Sequence, residues 1–412
     1  MKYPAHHFYS YDELTAAVHG IAESAPSQVQ LDSIGKSPHD RDLWRLRIGA
    51  ADKPVLIVTA NAHAVEMAGS CTAIYMAQRL LDFPDLLRDV QFWIVPRVTP
   101  DGVEDVLRYR NRDRVRSRFV PEHEPNVIWP EDLDGDGVIR TMRWRDDEGG
   151  THVACPDEPR MLLPKRESDT APFYRIGTEG VIQEWDGKTI ANSNARIDFN
   201  RNYPSQTFKP MDGWIGQGVT PLSEPETKAV ADMVELADDL IGAMDLHTGN
   251  PAIFWPQRAP NTDDDPVRRI GKLGEAITGF PYLIGYEEAR GHEPVSDTHG
   301  TYNDWVYDST GKPTYVVELG MFYNYIGLTC HDLAMEERAH EQLWNKLMFA
   351  HHDQYPDYEL HWDWRPFAHP QLGPVELGGW NTIPWSNPPL DQMTDVAHRV
   401  TRFAMEFAKQ GR

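Results

Sequence analysis

A chain of 412 residues, 40% hydrophobic and 25% charged, is long enough for one large domain or two ordinary ones and can bury a sizeable core without covalent staples. Its formal net charge of -23 repels phosphate backbones, which sets nucleic acid aside as a partner. Cys71, Cys155 and Cys330 are odd in number, far apart and free of any CxxC pairing, so neither a disulfide framework nor a cysteine zinc site is expected.

The amino terminus lacks the apolar core of a secretion signal, and no stretch reaches membrane-spanning length. With free thiols, this reads as a cytoplasmic protein, although a chain trimmed of its leader would read alike. Residues 12–24 carry Leu14, Val18 and Ile21 at helical spacing, and Pro26 follows. Trp44, Leu46 and Ile48 alternate with Arg45 and Arg47, the pattern of a half-buried strand. The unbroken apolar run at 55–60 predicts a strand covered on both faces. A helix is expected over about 71–81, then another buried strand at 92–96. Residues 111–196 are rich in charge, Pro and Gly with little periodicity, and read as an irregular excursion. Ser223, Pro225 and Glu226 spell a helix start, with Ser223 as cap and Glu226 closing a capping box. Two more buried strands follow at 240–247 and 314–319. Strands alternating with helices indicate an α/β domain with a largely parallel sheet. It is expected to occupy residues 1–350. Residues 351–412, rich in Trp, Pro and Gly before a helix near 395–409, form a carboxy-terminal appendage packed on it.

The chemistry gathers at strand ends. His63 and Glu66 directly follow the strand at 55–60, and His247 closes the one at 240–247. Ligands of open α/β sheets collect at such ends. Two imidazoles and a carboxylate leave a fourth position for water, the layout of a catalytic zinc site. An HxxE pair alone is weak, and a polar turn is the blander reading of Asp198-Phe199-Asn200-Arg201-Asn202-Tyr203. In the functional reading Asn200 and Arg201 grip a carboxylate, and Asp198 orients an imidazole from behind. Glu318 ends a strand otherwise fit for burial, where a carboxylate is costly unless it works. It suits a general base that later protonates a leaving amine.

Taken in order, HAVE at 63–66, PDG at 100–102, DFNRNY at 198–203, SEPET at 223–227 with DLH at 245–247, and VVEL at 316–319 resemble the zinc carboxypeptidase superfamily (peptidase family M14). GTYNDW at 300–305 resembles the family's segment before its catalytic Glu. The likeness runs over roughly residues 8–345. It implies an α/β/α sandwich around a mixed, mostly parallel eight-stranded sheet, with one catalytic zinc. It makes His63, Glu66 and His247 the ligands, Asp198 the partner of His63, Asn200 and Arg201 the grip on a C-terminal carboxylate, and Glu318 the acid/base.

The chain also departs from that pattern. The family's flexible Tyr is replaced by Ser296, and neither His299 nor Tyr302 matches its spacing. Asn303 stands where members set side-chain preference, so a polar, neutral substrate pocket is expected. For the Arg that stabilises the oxyanion, Arg143 is the first choice, with Arg112 and Arg116 behind it. Glu376, in a second VEL, is read as structural. Asp132, Asp134 and Asp136 occupy the odd positions of a calcium loop with Gly137 next, but Arg143 stands where the closing Glu belongs. A plain Asx/Gly turn is therefore the main reading, with calcium the minority one. In its DGDG insertion at 134–137 the chain resembles a bacterial branch of the family. His351, His352, Asp353 and His361 read as a solvated face, and Trp362, Trp364, Trp380 and Trp385 as packing. The function expected is hydrolysis of a peptide or peptide-like amide beside a free carboxylate. The alternatives are an N-acyl amino-acid hydrolase of the aspartoacylase or succinylglutamate desuccinylase kind, a cell-wall peptide carboxypeptidase, and a non-catalytic peptide-binding module.

Overall fold

Alternation of side chains about the strand 55–60 decides the layers. In the computed structural model, Leu56, Val58 and Ala60 join one core cluster and Val55 and Ile57 another, as the two-residue period of a strand requires. The structure describes residues 5, 7–110, 117–119, 124–192, 196–205, 216–260, 262–283, 299–328 and 338–410. Arg112, Arg116, Ser296 and Cys330 lie outside them.

In chain order the strands are β1 (Val29–Lys36), β2 (Asp42–Ile48), β3 (Val55–Ala60), β4 (Gln91–Val95), β5 (Arg118–Phe119), β6 (Val127–Pro130), β7 (Thr141–Arg145), β8 (His152–Cys155), β9 (Glu158–Pro164) and β10 (Phe173–Thr178). They continue as β11 (Gly180–Ile182), β12 (Ala191–Asn192), β13 (Arg196–Ile197), β14 (Leu240–His247), β15 (Ala252–Phe254), β16 (Tyr282–Leu283), β17 (Thr314–Glu318), β18 (His361–His369) and β19 (Gly373–Trp380). Among the described residues an eight-stranded sheet runs β1-β2-β4-β3-β14-β17-β15-β16. It is parallel through β4, β3, β14 and β17, while β1, β2 and the β17–β15 pair are antiparallel. Helices Tyr11–Ser24, Met67–Leu80, Pro266–Thr278 and Leu390–Gln410 cover one face, supplying Val18, Ala73, Ile270 and Phe403 to its core. Helices Pro225–Glu235 and Tyr302–Thr310 cover the other with Val230, Met233 and Val306. This is the α/β/α sandwich expected.

Two local expectations change. The helix after residue 223 is capped by Glu224 rather than Ser223, without a side-chain cap bond. Glu226, 0% exposed, is drawn into the interior instead of closing a capping box. The excursion is also more ordered than its composition suggests. Strands β7 to β10 join the carboxy-terminal hairpin in a six-stranded sheet, β18-β19-β7-β10-β8-β9. Insertion and appendage thus share one layer, which no local pattern announces.

Candidate metal centre and active site

Three neighbouring parallel strands end side by side: β3, β14 and β17. The turn after β3 is shaped by Asn61, at a positive φ of 59°. Its Nδ2 donates to the carbonyls of His63 (2.6 Å) and Ala64 (3.2 Å), and its Oδ1 accepts from Ser70 Oγ (2.7 Å). Gly69 lets the following helix press on β14, since a Cβ there would stand 2.8 Å from the Leu246 carbonyl. These constraints hold His63 and Glu66 against His247.

His63 Nδ1 lies 2.9 Å from Glu66 Oε1, His247 Nδ1 lies 2.8 Å from Glu66 Oε2, and the two Nδ1 atoms are 3.3 Å apart. All three side chains are buried. Behind them, His63 Nε2 faces Asp198 Oδ1 at 3.0 Å and His247 Nε2 faces Asp245 Oδ2 at 2.8 Å. Those carboxylates fix the tautomers: each Nε2 carries the proton, and each Nδ1 turns a lone pair inward. In that tautomer two imine nitrogens and a carboxylate face one another, an arrangement that a cation or a proton satisfies. Zinc–nitrogen bonds of about 2.0–2.1 Å in tetrahedral geometry separate two nitrogens by roughly 3.3–3.4 Å, so the 3.3 Å spacing fits one zinc ion. Metal-free, the same cluster attracts protons. Burial pulls the His63 and His247 imidazoles down, but the Glu66 and Asp198 charges on His63, and the Asp245 and Glu66 charges on His247, outweigh it and raise both. Burial pushes the Glu66 carboxyl up, yet the two imidazoles bring it to about 2.

Glu318 sits on β17 level with His247. Its Oε2 is shut from solvent without a hydrogen-bond partner. Burial first, then the Glu66 charge, push its carboxyl up to about 8. Gly249 leaves room for it, because a Cβ there would fall 2.8 Å from Oε2. A carboxyl next to a cation-ready cluster, poised near neutral pH, has the properties of an acid/base group.

Asp198 begins the short turn Phe199–Arg201, and its Oδ1 also accepts from the Asn200 amide at 2.9 Å. The same carboxylate oxygen therefore joins His63 to the Asn200–Arg201 pair. Asn200 Oδ1 accepts from the Tyr302 amide at 2.9 Å, so its NH2 end is the donor it can offer. Arg201 Nη1 donates to the Asn200 carbonyl at 2.6 Å. Asn303 is buried in the first turn of the helix Tyr302–Thr310. Next to it, Asp304 is held by Gln257 N (2.8 Å) and Thr301 Oγ1 (2.9 Å). Tyr302, 1% exposed and 5.3 Å from the Tyr203 ring, is core. Asp245 escaped the sequence reading. Alternation along β14 places it on the same side as His247, and Thr59 Oγ1 donates to its Oδ1 at 2.8 Å.

Arg143 is a correction. Pairing of β7 with β19 sets it opposite Glu376. Its Nε bonds Glu376 Oε2 at 2.8 Å, Nη1 reaches the Pro159 carbonyl at 3.2 Å, and the guanidinium lies 4.4 Å from the Trp364 ring. Its Nε and Nη1 and the face of its guanidinium serve the second sheet, so the oxyanion role is withdrawn. Calcium gains no support either. Asp132 accepts from Gly135 N and Gly137 N, each at 2.8 Å. Arg365 pairs with both Asp134 and Asp136, and Arg140 adds a bond to Asp136. The loop carries its own counter-charge. Asp132 and Asp134 do approach buried Glu179, but both Glu179 oxygens accept backbone amides, from Leu133 and Arg140, at 2.9 Å. His361 is buried against Phe349 and Trp380, and Asp353 pairs with Arg160. The face read as solvated is partly interior.

Fold and donor set together define an α/β/α protein able to hold one divalent ion at the carboxyl ends of a parallel sheet. The chain belongs to the zinc carboxypeptidase family, whose model matches residues 14–152 and 178–346. What falls outside the match includes β9, β18 and β19, the outer strands of the second sheet and a neighbour of β7. Carboxypeptidase B of the crayfish Astacus astacus is 28% identical over 162 residues, 36% of this chain and 50% of that protein. An inactive metallocarboxypeptidase of Ajellomyces dermatitidis is 31% identical over 136 residues, 29% of this chain and 23% of that protein. The chain thus spans half or less of these relatives' length. The crystal structure of carboxypeptidase A from Helicoverpa armigera superposes with a TM-score of 0.55 at 14% identity, covering 99% of this chain and 74% of that one. At that identity the likeness shows the fold.

Proposed function

We propose that the protein is a zinc-dependent carboxypeptidase that cleaves a peptide or peptide-like amide next to a free carboxylate. The observation that carries this is the convergence of His63, Glu66 and His247 on a spacing that fits one ion, with the raised carboxyl of Glu318 beside it. Zinc, when bound, supplies a Lewis acid for the scissile carbonyl. Asp198 and Asp245 hold the imidazoles in the ligating tautomer. Arg201 and the NH2 of Asn200 clamp the terminal carboxylate, a task suited to a guanidinium fork. Glu318 removes the proton from the attacking water and returns it to the departing amine. Buried Asn303 supports a polar terminal-residue pocket. No described helix is long and apolar enough to cross a membrane. The buried free thiols of Cys71 and Cys155 support the cytoplasmic placement that belongs to this proposal.

Since inactive relatives occur, the test must separate metal from turnover. Glu318→Gln is expected to keep stoichiometric zinc and lose residue release from free-acid peptides by at least about a hundredfold. Full activity in that variant would refute the assignment. Release from N-acyl aspartate or glutamate instead of peptides would favour the amino-acid hydrolase reading.

A further inference from the structure

The carboxy-terminal stretch returns to the two segments that carry the donor atoms. Asn387, between the helices Thr382–Trp385 and Leu390–Gln410, is 0% exposed. Its Oδ1 accepts from Ala68 N at 2.8 Å, and its Nδ2 donates to the Val65 and Ile383 carbonyls, both at 2.8 Å. Val65 and Ala68 straddle Glu66. One residue earlier, the Ser386 carbonyl accepts from Thr248 Oγ1 at 2.6 Å, and Thr248 follows His247. Consecutive residues thus fasten the Glu66 turn and the end of β14 to one another.

The helix Met67–Leu80 begins at Glu66, which makes no side-chain cap bond. The first amides of a helix lack intrahelical partners, and the residue at the cap normally turns its side chain back to accept one. Here Asn387, remote in sequence, accepts the Ala68 amide in its place. Both Glu66 oxygens are then free to face His63 and His247. A buried amide side chain satisfied at three points is rigid, and removing it strands several buried partners.

Resting on the zinc reading above, the geometry points to Asn387 as a positioning residue for the metal ligand Glu66: a cap supplied from the distant carboxy-terminal stretch of the same chain, which keeps that carboxylate turned toward the ion. In Asn387→Ala the Ala68 amide loses this partner, and Glu66, at the cap position, is the residue whose side chain would turn back to satisfy it.

The test measures zinc affinity by competition with a chelating dye, starting from metal-free protein, and melting in excess chelator. Asn387→Ala is compared with Asn381→Ala, which removes a cap of the same short helix, an acceptor for Ile383 N at 3.3 Å. Asn387→Ala is expected to bind zinc about tenfold more weakly. Asn381→Ala is expected to lower melting in chelator while keeping wild-type zinc affinity. Unchanged affinity in Asn387→Ala, or an equal loss in Asn381→Ala, overturns the inference. Should Asn387→Ala fail to fold, Thr248→Val decides: affinity is expected to fall in Thr248→Val and recover in Thr248→Ser, and wild-type affinity in Thr248→Val overturns it. A wild-type protein that binds no zinc refutes the reading of the site itself. Zinc bound equally by wild type and Asn387→Ala refutes this inference alone.

Discussion

Asp245 offers the sharpest test of how the site is tuned. It is 2% exposed, with Oδ2 at 2.8 Å from His247 Nε2 and Oδ1 at 2.8 Å from the Thr59 hydroxyl. In Asp245→Asn the amide oxygen can stay on the imidazole while the NH2 donates to Thr59, because a hydroxyl accepts as readily as it gives. Tautomer and ring position survive, and only the charge is lost. Carboxylates behind metal-binding imidazoles contribute about 10–100-fold in metal affinity, or about 1.4–2.7 kcal/mol. Asp245→Asn belongs at the tenfold end. Asp245→Ala also leaves Nε2 unpaired in a buried site and leaves the Thr59 hydroxyl only its 3.5 Å approach to the Met244 carbonyl. It belongs near the hundredfold end and should lose about 1–3 kcal/mol of stability. Competition against a chelator of known affinity, with denaturant unfolding of the metal-free proteins alongside, reads both numbers. A folded Asp245→Ala protein with wild-type zinc affinity would show that the carboxylate does not tune the imidazole.

Arg143→Ala should cost about 1–3 kcal/mol of stability through the Glu376 pair and the Trp364 stack, leaving kcat/KM per folded molecule unchanged. A hundredfold fall in kcat would reinstate the oxyanion role. Arg201→Ala should raise KM for free-acid peptides about 10–100-fold, the worth of a hydrogen bond between charged groups, and a change confined to kcat would contradict the clamp. Glu318 must be ionised to act as base, so kcat/KM should climb with pH through its pKa. That midpoint should lie below the metal-free value of about 8, because a bound dication favours the carboxylate. The same raised value means that the stability contributed by the neutral carboxyl is present below the unfolded-state pKa and lost as pH rises through about 8. Metal-free Glu318→Gln should therefore outlast the wild type in alkaline unfolding, and identical pH profiles would contradict it.

The residues whose placement follows from local pattern were legible in the sequence. The strand predicted at 55–60 is β3, that at 240–247 is β14, and the last begins where predicted and ends at Glu318, because unbroken apolar runs leave little choice of register. Strand ends then placed His63, Glu66, His247 and Glu318. Asp198, two residues before Asn200, also falls against His63 as the motif suggested. Asp245 was within reach, since position i−2 on a strand shares a face with i. The helix start at Met67 was not, because its cap arrives from Asn387 rather than from a neighbour. The destination of Arg143 was hidden for the same reason. It depends on β7 pairing with β19 across most of the chain, and the composition of the insertion says nothing about that partner.

X-ray absorption on protein loaded with one equivalent of zinc tests the central claim most directly. The account predicts two imidazole nitrogens at about 2.0–2.1 Å with oxygen completing the shell, and loss of one imidazole in His247→Ala. A spectrum with no imidazole, or one that His247→Ala leaves untouched, would contradict it.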